Sequence, residues 1–319
     1  MEEAIRPLIY NHWVVRYGGP AACRNSTPTS SGVRRAAGRR PCDDRAVPAR
    51  PPTPQPSAWR RRRLRVWALG LAPALALVVV GAVQLGRGLL AHDAADSAPG
   101  PVVLVSGYGG STTALRALGD RLRAAGRRTV LVPPVGDNTG DLSDQARALD
   151  TVVRAQLAAG AASVDVIGYS AGGVVTRVWA ARLGGAQVAR RIVTLGSPHH
   201  GTDAAQLAAG VLGSGCPTAC RQLAPSGDLL RDLPDAPSGP RWTSLWTATD
   251  ELVSPPDSAR LKGAVDVELQ AVCPGRQVSH GRLPTDPVAV GLVLRALGDP
   301  GLTGAPPTSE CGALAASGA

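Results

Sequence analysis

One serine in the sequence lies where a side-chain hydroxyl could be activated for nucleophilic attack. Ser170 is the centre of Gly168-Tyr169-Ser170-Ala171-Gly172, after the apolar run Val164–Ile167 and before a helix-compatible stretch at 174–183. A sharp strand-to-helix turn exposes such a serine, and glycines at 168 and 172 avoid the steric clashes that side chains there would cause. The main-chain amide of Ala171 would point towards a developing oxyanion. The pattern predicts that Ser170 is a nucleophile; the alternative is an ordinary strand-to-helix turn.

A serine hydroxyl needs a base within reach, and that base needs an acid that orients it. Few residues downstream can supply them. His280 follows the predicted strand 264–272, and Asp250 follows the predicted strand 241–247. The alternatives are that Asp250 is a turn residue or cap and that His280 is a surface histidine. Asp257 and Asp232 are the competing acids.

Strands alternate with helices over most of the chain, and this order predicts βαβ units with a mostly parallel sheet. The predicted strands are 102–105, 129–132, 164–167, 191–195, 241–247 and 264–272. The predicted helices are 112–125, 142–159, 174–183, 204–212 and 287–297. Asp141 or Ser143 is expected to cap the second of these helices, and Asp203 the fourth.

Four motifs in order carry a resemblance to a known family. They are Val105-Ser-Gly-Tyr-Gly-Gly-Ser111, Gly168-Tyr-Ser-Ala-Gly-Gly173, Thr194-Leu-Gly-Ser-Pro-His-His-Gly-Thr202 and Asp250-Glu-Leu-Val-Ser-Pro255. Residues 101–297 thereby resemble bacterial lipases and esterases of the α/β-hydrolase fold, with helices on both faces of the sheet. The resemblance implies a Ser170–Asp250–His280 triad that hydrolyses carboxylic esters of lipids or small molecules, without a cofactor or metal. His199 and His200 precede any such acid, so we expect them to line the site rather than act in it; the alternative is a loop that caps the next helix.

A second oxyanion donor is expected from the glycine-rich loop after the first strand. The main-chain amide of Tyr108, within Gly107-Tyr108-Gly109-Gly110, is the candidate, the alternative being a turn that binds no ligand. Ser106 departs from the family pattern, in which many lipases have His before the glycine.

The same four motifs allow an acyltransferase with the same triad, or a membrane-tethered module that has lost its chemistry. The segment 202–240 could be a lid over an acyl pocket or a surface excursion.

The basic charge of the chain is confined to its beginning. Residues 1–65 carry 14 arginines and four acidic residues, which account for the whole net charge of +10. The remainder therefore has no net positive charge with which to hold nucleic-acid phosphates. Residues 1–59 are rich in Pro, Arg and Ser and are predicted to be a disordered cytoplasmic tail.

Arg60–Arg65 and the uncharged run Val66–Gly86 predict a signal anchor, since 21 helical residues span about 30 Å, the thickness of a bilayer core. The positive-inside rule would place everything after Arg87 outside the cytoplasm. A cleaved signal peptide and secretion is the alternative. We expect the anchor region at 60–90, a linker at 91–100, the catalytic domain at 101–299 and a flexible tail at 300–319.

Four of the six cysteines follow the predicted anchor, in a compartment where disulfides would persist. Four cysteines allow three pairings. We expect Cys216–Cys220 as a local staple and Cys273–Cys311 as a link from the last strand to the tail. A metal site would need a second close pair of ligands, so it is disfavoured.

Overall fold

The structure is a computed structural model that describes residues 94–319. Within that range it contains six β-strands and nine α-helices. The strands are β1 (Val102–Val105), β2 (Thr129–Leu131), β3 (Val164–Tyr169), β4 (Ala189–Leu195), β5 (Arg241–Trp246) and β6 (Val265–Glu268). The helices are α1 (Thr113–Ala124), α2 (Leu142–Ala158), α3 (Ala171–Arg182), α4 (Asp203–Leu212), α5 (Thr218–Gln222), α6 (Asp228–Arg231), α7 (Leu269–Val272), α8 (Pro287–Leu297) and α9 (Cys311–Ser317).

The six strands form one parallel sheet in the order β2-β1-β3-β4-β5-β6. The strand order reverses direction between β1 and β3, which are neighbours in the sheet although β2 lies between them in sequence. In open parallel sheets, the crevice beyond the carboxyl ends of strands at such a reversal is the usual ligand site. The loops that follow β1 and β3 both lie at this position, beyond the carboxyl ends of the two strands.

Alternating side chains of the strands divide the core between the two faces of the sheet. In β1, Val103 and Val105 pack with α2 and α3 on one face, whereas Val102 and Leu104 pack with α1 and α8 on the other. The period of two along a strand produces this division. The predicted α/β fold with helices on both faces is therefore confirmed. The side chain of Asp141 caps α2 by accepting from Ser143 N–H at 2.7 Å, as predicted.

Two segments near the end of the chain differ from the prediction. The segment expected as a strand over 264–272 divides into β6 and the short helix α7, because Leu269, Val272 and Cys273 have the helical spacing that buries all three on one side. The predicted flexible tail at 300–319 instead contains α9. Its residue Leu314 is buried, and Gly291 of α8 allows close approach, since an added Cβ would lie 2.1 Å from Leu314 O.

The predicted membrane anchor at 66–86 lies outside the described residues, as do the tail before it and the start of the linker. Between residues 94 and 319, no helix is both long enough and apolar enough to cross a membrane.

Candidate active site

Ser170 occupies a strained turn between β3 and α3, as predicted. Its backbone has φ 55° and ψ −130°, a conformation that residues other than glycine rarely adopt. The glycines on either side are needed for close packing. A Cβ on Gly168 would lie 2.5 Å from Gly173 Cα, and one on Gly172 would lie 2.4 Å from Val105 O. The contact at Gly172 places the turn directly against the end of β1, and the contact at Gly168 packs β3 against the start of α3.

Asp250 and His280 form a buried pair at the carboxyl end of the sheet. His280 Nδ1 lies 2.7 Å from Asp250 Oδ2, and both side chains are almost fully buried. The other carboxylate oxygen, Oδ1, accepts from the main-chain N–H groups of Leu252 and Val253 at 2.9 and 2.8 Å. The carboxylate is thus held from both sides and is oriented to fix the imidazole ring.

Contacts through β4 and Tyr169 place this pair beside the serine turn. Ser170 N–H donates to Leu195 O at 2.8 Å, and the next residue, Gly196, faces the pair. A Cβ on Gly196 would lie 3.1 Å from Asp250 Oδ2 and 3.2 Å from His280 Nδ1. Tyr169 packs its ring 5.2 Å from the imidazole, centroid to centroid, and donates its hydroxyl to His280 O at 3.2 Å. The Asp250–His280 pair therefore lies beside the serine turn, at the carboxyl end of the sheet.

Tyr169 remains a hydrogen-bond donor at neutral pH. Its burial, followed by the negative charges of Asp250 and Glu251, raises the pKa of Tyr169 to about 12. Glu251 also contacts the histidine loop, since its Oε2 accepts from His280 N–H at 2.9 Å. The ring contact and these two hydrogen bonds constrain the position of the imidazole.

The glycine-rich loop after β1 lies directly against Ser170. A Cβ on Gly107 would be 2.8 Å from Ser170 Cβ and 3.3 Å from its Oγ. Gly110 N–H donates to Gly107 O at 3.2 Å and closes the turn. Within residues 94–319, neither the Tyr108 nor the Ala171 main-chain N–H donates to a protein acceptor. Both predicted oxyanion donors thus remain free to bind a ligand.

An apolar cavity of about 250 Å³ opens at Ser170. Its walls come from the glycine-rich loop, from the segment 202–240 and from the loop after Asp250. The lining residues are Tyr108, Ser170, Pro198, Thr202, Ala204, Ala205, Ala208, Cys220, Leu223, Leu252 and Val253. The segment 202–240 therefore forms one wall of this cavity, and its apolar side chains Leu207, Val211 and Leu212 are exposed on α4.

The competing residues lie elsewhere. Asp257 and Asp232 are exposed. His199 is fully buried, with Nε2 3.1 Å from Thr194 Oγ1 and its carbonyl accepting from Arg177 Nη1 at 2.8 Å. His200 is exposed, and neither histidine is among the residues that line the cavity, contrary to the expectation that they would.

Both expected disulfides are present, Cys216–Cys220 and Cys273–Cys311. The first staples the start of α5 to the preceding loop, and Cys220 lines the cavity. The second joins α7 to α9. Within residues 94–319, no group of three or more His, Cys, Asp or Glu side chains could hold a metal ion.

Sequence reasoning missed four residues that shape this site. Gly196 and Tyr169 lie inside motifs that were recognised, so their positions beside Asp250 and His280 could have been suspected. Glu251 follows the predicted acid directly. Asn138 contacts the glycine-rich loop from a turn-rich segment after β2, where no sequence pattern indicates a role.

The parallel sheet, the strained serine turn and the buried Asp–His pair together match the architecture of the α/β hydrolases. Residues 101–232, less than half of the chain, match the model of the palmitoyl protein thioesterase family. Comparison with curated proteins finds no sequence match.

Among solved structures, lipase B from Aspergillus fumigatus is similar with a TM-score of 0.55 and 20% identity, over 64% of this chain and 53% of that one. The chain thus spans about half the length of that lipase. The mature lipase BlEst2 from Bacillus licheniformis gives a TM-score of 0.46 and 21% identity, over 54% and 83% of the two chains. An α/β-hydrolase enzyme from a lagoon-sediment metagenome gives 0.44 and 17%, over 62% and 90%. The family match and the fold shared with lipase B confirm the resemblance to hydrolases of this fold.

Proposed function

We propose that this protein is a serine hydrolase that cleaves carboxylic esters through an acyl-enzyme intermediate on Ser170. The observation that carries the proposal is the strained turn that holds Ser170 in the lining of an apolar cavity. Hydrolase-type relatives support ester hydrolysis in general. A structural serine would need neither the strain nor access to a cavity.

In the proposed reaction, Ser170 Oγ attacks the ester carbonyl while His280 takes up its proton. Asp250 holds the imidazole in the tautomer that accepts this proton at Nε2 and stabilises the imidazolium. The N–H groups of Tyr108 and Ala171 bind the oxyanion of the tetrahedral intermediate. His280 then returns the proton to the leaving alcohol, and a water activated by the same histidine hydrolyses the acyl-enzyme.

The cavity favours an apolar acyl group of medium length. The cavity of about 250 Å³ is large enough to accept an apolar chain of several carbons. Its alanine-lined wall contains no charged side chain that would bind a polar substituent. We therefore propose esters of medium-length apolar acyl chains as the preferred substrates, with octanoyl esters as the test case.

A fluorophosphonate probe combined with Ser170→Ala tests the proposed reaction. We expect wild type to be labelled at Ser170 and to hydrolyse p-nitrophenyl octanoate. Ser170→Ala should be unlabelled and lose about 10⁴- to 10⁶-fold in kcat, because no acyl-enzyme can form. Circular dichroism would show that the variant is folded. A folded Ser170→Ala protein that retained a tenth of the activity would exclude the proposal.

Thioester hydrolysis is a second candidate, favoured by the match to the palmitoyl protein thioesterase family. The same triad can attack either carbonyl. Comparing kcat/KM for octanoyl oxyester and octanoyl thioester, with leaving groups of similar pKa, would separate the two. A preference for the thioester of more than about tenfold would favour the second candidate.

We further propose that residues 66–86 anchor the protein in a membrane and that the catalytic domain lies outside the cytoplasm. The charge pattern of residues 60–86 and the four cysteines after it support this location. Thiol labelling of intact cells under denaturing, non-reducing conditions is expected to leave Cys273 and Cys311 unlabelled. Alkylation of both, or full-length protein wholly in the soluble cytosolic fraction, would contradict the proposal.

A further inference from the structure

Asn138 connects the loop after β2 to the glycine-rich loop beside Ser170. Its Nδ2 lies 3.0 Å from Ser106 Oγ and 3.4 Å from Gly107 O. Its Oδ1 accepts from Val135 N–H at 2.8 Å. The side chain is buried, and its amide group therefore joins the two loops inside the protein.

The backbone of Asn138 is also in an unusual conformation. Its φ is 57°, and Asn138 and Ser170 are the two non-glycine residues between 94 and 319 with positive φ. Asparagine tolerates the left-handed region better than most residues, but a buried one stays there only where its surroundings hold it. Gln145 Nε2 donates to Asn138 O at 3.2 Å, and Asn138 N–H donates to Val135 O at 3.0 Å. Both sides of the residue are thus fixed.

The hydrogen bond to Gly107 O determines the direction of the candidate oxyanion donor. Gly107 C=O and Tyr108 N–H belong to one planar peptide unit and point in opposite directions. A donor that holds the carbonyl therefore aims the N–H. Gly110 N–H also donates to Gly107 O, but it belongs to the same loop, whereas Asn138 is anchored outside it.

We propose that Asn138 is a positioning residue that orients the Gly107–Tyr108 peptide, and with it the Tyr108 N–H, towards the oxyanion. This inference rests on the proposed function, because it requires an oxyanion at Ser170. Asn138 does not touch the substrate. It acts through the glycine-rich loop. Its second contact, with Ser106 Oγ, holds the side-chain amide of Asn138 in the position from which it donates to Gly107 O.

Asn138→Gly and Asn138→Asp test the inference. Glycine accepts the positive φ but removes the amide, and aspartate keeps the size but cannot donate to Gly107 O. We expect kcat for p-nitrophenyl octanoate to fall about 10- to 100-fold in both, less than the loss typical of deleting a donor itself. KM should change by less than threefold. Ser106→Ala should lose less, because the contact with Gly107 O remains.

Two further measurements distinguish positioning from simple support of the fold. A trifluoromethyl ketone with an octyl chain forms a tetrahedral adduct with the serine, so its affinity should fall by the same factor as kcat/KM. The affinity for octanol, which forms no oxyanion, should not change. The matched control is Asp137→Ala, in the loop after β2 that also carries Asn138. Asp137 Oδ1 accepts two hydrogen bonds from Thr139, and the variant loses them without changing the contacts of Gly107. It should keep wild-type kcat.

The outcomes are separable. Loss of kcat together with ketone affinity, in a variant that is folded by circular dichroism, supports the inference. A kcat within threefold of wild type, or a lower Tm with unchanged ketone affinity, overturns it. If Asn138→Gly does not fold, Asn138→Asp decides by the same criteria. A wild-type protein that is neither labelled at Ser170 nor active would instead overturn the proposed function.

Discussion

Two buried carboxylates lie at opposite ends of the sheet and have different partners. Near the amino end, Asp165 of β3 contacts Arg127 Nη2 at 2.5 Å and Arg190 Nη2 at 2.8 Å. At the carboxyl end, Asp250 contacts His280 and two main-chain N–H groups. Arg190 also donates to Leu297 O at 2.6 Å, so the first cluster ties β3 and β4 to the end of α8.

The arginine partners of Asp165 suit a role in stability, whereas the histidine partner of Asp250 suits a role in proton transfer. A guanidinium stays protonated in proteins, so the Asp165 cluster can neutralise charge but cannot transfer a proton. An imidazole can gain and lose a proton during a reaction. The amino end of the sheet should therefore contribute to the free energy of unfolding, and the carboxyl end to turnover.

The largest effect is expected at the carboxyl end. Asp250→Asn should lower kcat by about 10⁴-fold, because asparagine leaves His280 in the wrong tautomer. Asp257→Asn, at an exposed position, is the matched control and should have wild-type kcat. Steady-state kinetics on p-nitrophenyl octanoate would measure both. Equal, small losses would mean that another residue orients His280.

The second effect is expected at the amino end. Asp165→Asn should lower the free energy of unfolding by about 3–5 kcal/mol, because it leaves two arginines without their buried counter-charge. Turnover per folded molecule should not change. Urea denaturation and kinetics with fluorophosphonate-titrated enzyme would measure the two quantities. Asp120→Asn, which removes an exposed ion pair with Arg123, should have no measurable effect on stability. A large loss of kcat in folded Asp165→Asn would contradict the assignment of stability to the amino end of the sheet and of turnover to the carboxyl end.

A third effect sharpens the chemistry assigned to the carboxyl end. Ala208→Leu should fill part of the cavity and lower kcat/KM for the octanoyl ester about 10- to 200-fold relative to the acetyl ester. The neighbouring Ala209 does not line this cavity, so Ala209→Leu should keep the wild-type ratio. A full series of p-nitrophenyl esters would show the preferred chain length. An unchanged preference in Ala208→Leu would place the acyl chain elsewhere.

The smallest effect concerns His199, a buried group near the site without a proposed role in the reaction. Burial, followed by the charges of Arg177 and His200, lowers its pKa well below the usual value. The folded protein therefore keeps His199 neutral, while the unfolded chain protonates it below about pH 6.5. Its contribution to stability is full above that pH and is lost as the pH falls below it, by at most about 1.4 kcal/mol per pH unit. Urea denaturation at pH 7.5 and 5.5 should show a weaker pH dependence in His199→Gln than in wild type.

Much of the architecture could be read from the sequence because its signals are local. The apolar runs of β1, β3 and β4, the turn at Ser170 and the cap of α2 each depend on residues close together in the chain. The strained turn follows from the Gly-x-Ser-x-Gly pattern itself, since only small neighbours fit there. The fold class followed from the alternation of these segments. The end of the chain was harder: the Cys273–Cys311 link was expected, but the composition of α9 does not reveal that Leu314 is buried against α8.

What the sequence determined by itself was the strands β1 to β5 and the longer helices, the order of Ser170, Asp250 and His280, and the residue types able to do the chemistry. Only the tertiary structure decided that Asp250, and not Asp257, meets His280, that His199 is buried away from the cavity and that Asn138 reaches the glycine-rich loop. These contacts join residues about 30 positions apart in the chain. Sheet order and loop packing bring such residues together, and no local pattern encodes that pairing.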